Sequence, residues 1–376
     1  MKFVASSSEL LGHLQAISKV ISSKNTLPIL DNFLFNLSGN ELEITASDLE
    51  STLITRMTLE NTDGDGSIAL PARILLDTLK EFSAQPLTFD INLSTLATVI
   101  VSENGKFNIM GQNSIDFPAL PAIKKERAFA FNINSDVMLA GIAKTLFATA
   151  ADELRPVMGG IFIATTADMV TFVASDAHKL VRYQRTDASA ENAASFILSK
   201  KPASLLKNIL PREDGTVNVE VDDKNAFFTL STYKVVCRLV EGTYPNYNSV
   251  IPKNNPRKVT VDRAELYNTL KRVAVFSNQA SNLIKLKVTG NQITVSAQDI
   301  DFSISAYERI KCQYDGEDIE IGFKSSFLLD ILSNLSSTDV MVELADPTKA
   351  GLFLPAIAEN ESEDLLMLLM PMMINA

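Results

Sequence analysis

Apolar and polar positions alternate along the chain with two different periods. Between residues 7 and 24, Leu10, Leu11, Leu14, Ile17, Val20 and Ile21 recur every three or four positions, which predicts a helix with the serines ahead of Glu9 as candidate caps. From Thr26 the stretch TLPILDNFLFNLSGNELEITASDLESTLITRMTLE alternates in twos. It breaks at Ser38-Gly39-Asn40 and at Asp48-Leu49-Glu50, which predicts antiparallel strands. Residues 70–82, LPARILLDTLKEF, return to helical spacing with Pro71 at the entry, and further strands lead to FPALP at 117–121. The order then restarts. Residues 135–150, opening on Ser135-Asp136, and 262–277 read as further first helices, and 198–210 and 321–335 as further second helices.

A hairpin recurs with them. FVASDAHKLV at 172–181 reads as strand, connection Asp176-Ala177-His178, strand; ITASDLESTL carries its connection at Asp48-Leu49-Glu50, and ITVSAQDIDFSIS at Asp299-Ile300-Asp301. First helices start at 7, 135 and 262, hairpin aspartates lie at 48, 176 and 299, second helices start at 70, 198 and 321, and closing prolines stand at 118, 245 and 371. Four landmarks in one order with nearly one step of about 125 residues describe a repeat far longer than a solenoid unit, hence whole domains. The expected fold class is α+β, three tandem copies of one helix-plus-antiparallel-sheet domain. Boundaries are placed at 1–125, 126–253 and 254–376, with KKER at 124–127 and PKNNPRK at 252–258 as linkers. Similar domains in tandem favour head-to-tail contacts, which either continue or close into a ring.

Composition narrows the class. The chain has 376 residues, 46% hydrophobic and 21% charged, enough to bury several cores. Cys237 and Cys312 are isolated, and His13 and His178 too few, for a disulfide framework or a metal cluster. The start of the chain lacks a signal-type apolar segment, and the most apolar run, 365–374, contains Pro371 and is shorter than the ~20 residues of a span. A cytoplasmic protein without a membrane role is expected.

A net charge of −11 argues against a nucleic-acid partner until the charges are located. The six helical stretches hold twelve Lys/Arg against seven Asp/Glu, so the rest of the chain carries −16. The basic residues are Lys19, Lys24, Arg73, Lys80, Lys144, Lys200, Lys201, Lys207, Arg263, Lys271, Arg272 and Lys324. They fit either ordinary solvated helix faces or one positive surface meeting a polyanion. With no Trp and no aromatic residues interleaved among them, the second reading means sequence-independent contact with a duplex backbone.

Catalytic readings fail on spacing. Ser175, Asp176 and His178 have the composition of a hydrolytic triad but sit within one hairpin, and no GxSxG elbow is present. Asp63-Gly64-Asp65-Gly66 lacks the remaining ligands of a calcium loop, and Asp222/Asp223 and Asp299/Asp301 read as solvated turn acids. There is no phosphate-binding loop and no dinucleotide fingerprint. The expectation is a protein that is not an enzyme and takes no metal or cofactor.

TLPIL (26–30), SDLE (47–50), LPAR (70–73), FPAL (117–120), SDAHKL (175–180), YPNY (244–247) and MPM (370–372) stand in the order seen in bacterial β sliding clamps, which this chain resembles over its whole length. The resemblance implies a DNA sliding clamp that encircles duplex DNA as a head-to-tail homodimer of six domains. It also implies tethering of the replicative polymerase catalytic subunit, the clamp loader and repair polymerases through short motifs. The implied partner-peptide pocket comprises Met158, Ser175, Ala177, His178, Lys179, Leu180, Pro245, Val250, Leu368, Leu369, Met370, Pro371 and Met372. Two positions depart from the family: Met373 follows the MPM where a basic residue is frequent, and Ser249 stands where Arg is frequent. The DNA-facing candidates are Lys24 first, then Arg73, Lys80, Lys144, Lys200, Lys201, Lys207 and Lys271. Lys106 and Phe107 are implied to meet Val275, Phe276, Asp299 and Asp301 across the dimer contact. The competing reading is a monomeric interaction scaffold with a peptide groove that never encircles DNA.

Overall fold

A computed structural model describes residues 1–124, 128–151, 154–358 and 360–374. Its α-helices are α1 (Ser7–Ile17), α2 (Ala72–Lys80), α3 (Ser135–Thr145), α4 (Lys200–Ile209), α5 (Arg263–Ala274) and α6 (Ser325–Ser333). All sheet pairings are antiparallel, as the alternating pattern requires. The chain divides into two compact units, 1–139 with 201–239, and 140–200 with 240–376.

The first unit holds two sheets. One has nine strands, and its middle joins Ser51–Thr58 to Tyr233–Arg238, with Thr55 opposite Tyr233 and Ser51 opposite Cys237. The other has five, ordered Thr62–Asp63, Lys2–Ser6, Pro86–Ile91, Ala97–Val101 and Lys106–Met110. Leu10, Leu14 and Ile17 of α1 and Leu75 and Leu79 of α2 are buried, and Phe3 stacks on Phe89 at 4.7 Å.

The second unit holds an eight-stranded sheet, joined at its middle by Lys179–Arg185 and Glu363–Leu369, and a four-stranded one ordered Ile304–Lys311, Gln292–Asp299, Leu283–Thr289 and Ile319–Lys324. Every residue of Val170–Ser175 is buried, so this strand is covered on both faces. Gly141 of α3 lies so close to the Phe172 ring that a Cβ would come within 2.5 Å of it, which fixes glycine there.

Several sequence expectations need correction. Residues 70–71, 198–199 and 321–324 are strand: each second helix starts where a strand ends, with Pro71 as the N-cap of α2 and Lys324 as the N-cap of α6. The first helix stops at Ile17, so Lys19 falls in a short 3-10 turn and Lys24 beyond it. Ser6 holds the N-cap position of α1 without a side-chain capping hydrogen bond, and Ser7 Oγ donates to the Ser83 carbonyl. The third hairpin turns at 300–303, after Asp299 has closed its strand. Of the linkers, residues 125–127, with the first boundary, lie outside the described residues, and Arg257 and Lys258 already belong to a strand.

Candidate functional site

The hairpin at 175–180 is built by its aspartate. Asp176 Oδ1 accepts the backbone N–H groups of His178 (2.9 Å) and Lys179 (2.8 Å). Ser175 Oγ accepts from Ala177 N and donates to the Lys179 carbonyl, and Ala177 adopts φ 73°. Asp176 Oδ2 takes the Lys179 ammonium at 2.8 Å. Lys179 is 5% exposed, lies 3.7 Å from Asp330 of α6, and sits 4.3 Å from the centroid of the Phe327 ring. The exposed His178 imidazole stacks on that ring at 5.6 Å, and Lys324 Nζ approaches it at 4.7 Å. Ser175, Asp176 and His178 therefore do not assemble as a triad: the first two are spent on the turn and the third on an aromatic face.

Beside the hairpin lies an apolar cluster of Val173, Leu180, Ile197, Tyr244, Ala350, Leu352, Leu366 and Leu368. Val157, Phe162, Val240, Tyr247, Ile251 and Leu354 pack against it only partly buried, so apolar surface stays open to solvent. The Tyr244 ring stacks on Phe162 at 5.0 Å, and burial pushes the Tyr244 hydroxyl pKa up. The chain end borders this surface. Met370 N donates to the His178 carbonyl and Met372 N to the Gly322 carbonyl, both at 2.8 Å. Gly322 is required for that approach, because a Cβ would sit 2.8 Å from the Met372 carbonyl oxygen.

The implied pocket residues thus sort by depth. Met158, Ser175, Lys179, Leu180, Leu368 and Leu369 are buried; Ala177, His178, Pro245, Val250 and Met370 are exposed, and Pro371 and Met372 half-buried. Sequence reasoning missed Phe327, Phe162 and Val157. Each occupies an ordinary apolar position in its element, and no local pattern distinguishes it. Tyr247 carried a signal, as the last residue of the YPNY motif. The arrangement can accept one or two large apolar side chains, with flexible methionines shaping the edge.

The basic helical residues divide by what they touch. Lys201 is tied to the Asp48 carboxylate and donates to the Val20 carbonyl at 2.7 Å. Arg263 donates to the carbonyls of Ser337 and Leu332, and Arg272 pairs with Glu308 at 2.6 Å. Arg73 and Lys80 approach Asp77 at 3.7 and 3.6 Å, Lys144 donates to Ser336 Oγ, and Lys271 lies over Tyr267. Lys24, Lys200 and Lys207 are exposed. Within the true bounds the helices carry nine basic and five acidic residues, a smaller surplus than the longer stretches suggested.

Among the residues assigned to a dimer contact, Lys106 and Phe107 lie on the edge strand Lys106–Met110, and Val275 and Phe276 follow α5 with 74% and 37% exposure. Asp299 is corrected. It is 2% exposed and spends Oδ1 on the N–H groups of Asp301 and Phe302, so it cannot face a partner, whereas Asp301 is exposed. Asp222 is likewise no solvated acid: it is 5% exposed and accepts from the backbone of Lys224, Asn225 and Lys124, which together hold its carboxyl below the usual range against the opposing effect of burial. Ile300, Phe302, Ile304 and Tyr307 are exposed apolar residues nearby that the motifs did not mark.

Three family models match along the chain: the N-terminal domain of the DNA polymerase III beta subunit over residues 1–121, its central domain over 132–246 and its C-terminal domain over 248–373. A beta sliding clamp of Pseudomonas aeruginosa is 27% identical over 374 residues, covering 99% of this chain and all of the relative. One of Synechocystis is 29% identical, covering 94% and 96%. Among solved structures, a DnaN sliding clamp (DNA polymerase III subunit beta) from Pseudomonas aeruginosa bound to griselimycin superposes with a TM-score of 0.93 at 26% identity. One from Bartonella birtlesii, also bound to griselimycin, does so with 0.90 at 28%. Both cover each chain completely.

Proposed function

The chain belongs to the DNA polymerase III beta subunit family, the beta sliding clamps, and is a DNA sliding clamp; from that premise we propose how its surfaces divide the work. Two copies close head to tail into a ring around duplex DNA. The observation that carries this reading is the full-length likeness to DnaN clamps at a TM-score of 0.93, over three consecutive clamp domains. Domain limits of 1–125, 126–253 and 254–376 agree with the spacing of the repeats. A closed ring holds DNA by topology, so weak backbone contact suffices, and a net charge of −11 is no obstacle. Lys24 is the leading DNA-facing residue, joined by Arg73, Lys80, Lys144, Lys200, Lys207 and Lys271. Lys201 acts through its Asp48 pair as a structural residue.

The apolar surface beside His178 and Met370–Met372 is the partner groove. Polymerases, the loader and repair proteins insert the large side chains of short motifs there, against Tyr247, Phe162 and the buried floor. The chain carries out no reaction of its own and works in the cytoplasm; none of its helices is long and apolar enough to cross a membrane, among the described residues. The scaffold alternative has no observation in its favour.

The test is mass and truncation together. Light scattering at micromolar concentration should give twice the 41.1 kDa chain mass, and a stable single-chain mass would contradict the ring. A chain ending at Leu369 keeps the whole Glu363–Leu369 strand and should stay dimeric while losing polymerase stimulation; undiminished stimulation would remove the groove assignment.

A further inference from the structure

The chain holds eleven methionines, and their exposure is uneven. Met57, Met138, Met158 and Met367 are buried, whereas Met370 and Met373 are 41% and 74% exposed and Met372 between them is half-buried. Three methionines thus stand within four residues at the rim of the partner groove, and Met373 occupies a position where a basic residue is frequent in the family. Among the described residues one other methionine, Met110, is exposed, at the end of the strand Lys106–Met110.

The tail is held by its backbone. Met370 N donates to the His178 carbonyl, which extends the ladder in which Leu368 lies opposite Leu180 and Leu369 opposite Lys179. Side chains alternate along such a strand, so Met370 falls on the face of Leu366 and Leu368, two residues of the apolar floor. Met372 pairs with Gly322, which fixes the tail at a second point. A swing of the chain end would break both bonds, so the thioethers stay at the rim.

We propose that Met370 and Met373 are sites of reversible oxidation, and that their sulfoxides close the groove to partner motifs. The inference rests on the groove reading above. A hydroperoxide is the oxidant. The thioether sulfur attacks its terminal oxygen, the O–O bond breaks, sulfur gains that oxygen and gives up two electrons, and water or an alcohol departs. Reversal takes two electrons and two protons from a pair of thiols, which become a disulfide while the oxygen leaves as water. An exposed thioether is a flexible apolar edge that moulds to a large apolar side chain, whereas its sulfoxide is polar and chiral. An apolar side chain laid over the sulfoxide strips water from the S–O group and offers no donor in return. Met158 and Met367 are shielded by burial, so the change is confined to the rim and spares the core.

The test treats the full chain with hydrogen peroxide, removes the peroxide with catalase, and then follows fluorescence polarisation of a labelled peptide from the cognate polymerase's catalytic subunit. Mass spectrometry of the C-terminal fragment locates the added oxygens. Oxidation at Met370 and Met373 should weaken the peptide by about tenfold. Methionine sulfoxide reductases with a dithiol should restore it. The variant Met370→Leu, Met372→Leu, Met373→Leu is compared only with itself, and its affinity before and after peroxide should agree. It retains Met110 and so reports any effect that arises there. Met370→Gln, a polar side chain of similar length, should weaken the peptide without peroxide. Undiminished binding by a chain oxidised at both positions, or an equal loss in the triple variant, overturns the proposal. So does a tail that stays reduced at peroxide levels that oxidise free methionine. A peptide that fails to bind the untreated chain overturns the groove reading beneath it.

Discussion

The hairpins of the first and second copies share one turn and put it to different uses. Asp48 and Asp176 accept the same two backbone N–H groups, and Leu49 and Ala177 adopt φ of 77° and 73°. In the first copy the remaining carboxylate oxygen takes Lys201, a residue of α4 whose side chain is 40% exposed. In the second it takes Lys179 from the hairpin itself; the place of Lys201 in the helix is held by Ser326, and Lys324, at the end of the preceding strand, lies over Phe327. Turning Lys179 inward leaves His178 to stack outward on the same ring, at the border of an open apolar surface. The turn is structural in both copies; the distinguishing chemistry is in one inserted lysine and one aromatic residue.

The sharpest way to break that contrast is to remove each aspartate. Asp176→Ala strands a nearly buried ammonium with only Asp330, at 3.7 Å, and should destabilise the second unit by about 3–5 kcal/mol. Asp48→Ala leaves a lysine that can reach water and should cost about 1–2 kcal/mol. Urea unfolding of the two variants checks the order, and equal losses would mean that the turn bonds dominate and the lysines do not matter. Next, Phe327→Ala should weaken a partner-derived peptide by about tenfold, or ~1.4 kcal/mol, in a fluorescence polarisation assay. Pro202→Ala, at the equivalent place in α4, should leave peptide affinity unchanged.

A smaller effect separates exposed Lys24 from Lys201, which is tied to Asp48. Lys24→Ala should reduce the slope of log affinity for DNA against log salt by about 0.9, the share of one phosphate contact. Lys201→Ala should leave that slope alone and lower the stability of the first unit. Smallest is a pH effect at His13, whose imidazole meets Thr55 at 2.5 Å and whose pKa is lowered from 6.5 chiefly by burial. Below pH 6.5 the unfolded chain takes up that proton before the folded one, so stability should fall as pH drops through the window down to the folded pKa. A melting-temperature series from neutral pH downwards should show this fall, and His13→Gln should flatten it.

The repeat was legible because spacing between landmarks survives errors in each landmark. Element bounds were less so: strands ending at Pro71, Ser199 and Lys324 run straight into helices, and an apolar residue at such a junction satisfies both periods. Lys179, Lys201 and Asp299 read as surface charges in the sequence, since burial of a charge depends on partners brought by other strands and helices. The groove's hairpin and chain end were visible as motifs, whereas Phe327 became part of it only through the packing of α6 on the hairpin of the preceding copy. The edge at Lys106–Phe107 was marked only by the family resemblance, because alternation does not reveal which strand lacks a neighbour.

Topological retention on DNA is the most direct measurement of what this chain does. Loaded by its cognate loader onto nicked circular duplex, the protein should remain bound through high-salt washing and be lost when one cut linearises the circle. Retention that is unchanged by linearisation, or loss from the intact circle in salt, would contradict the ring.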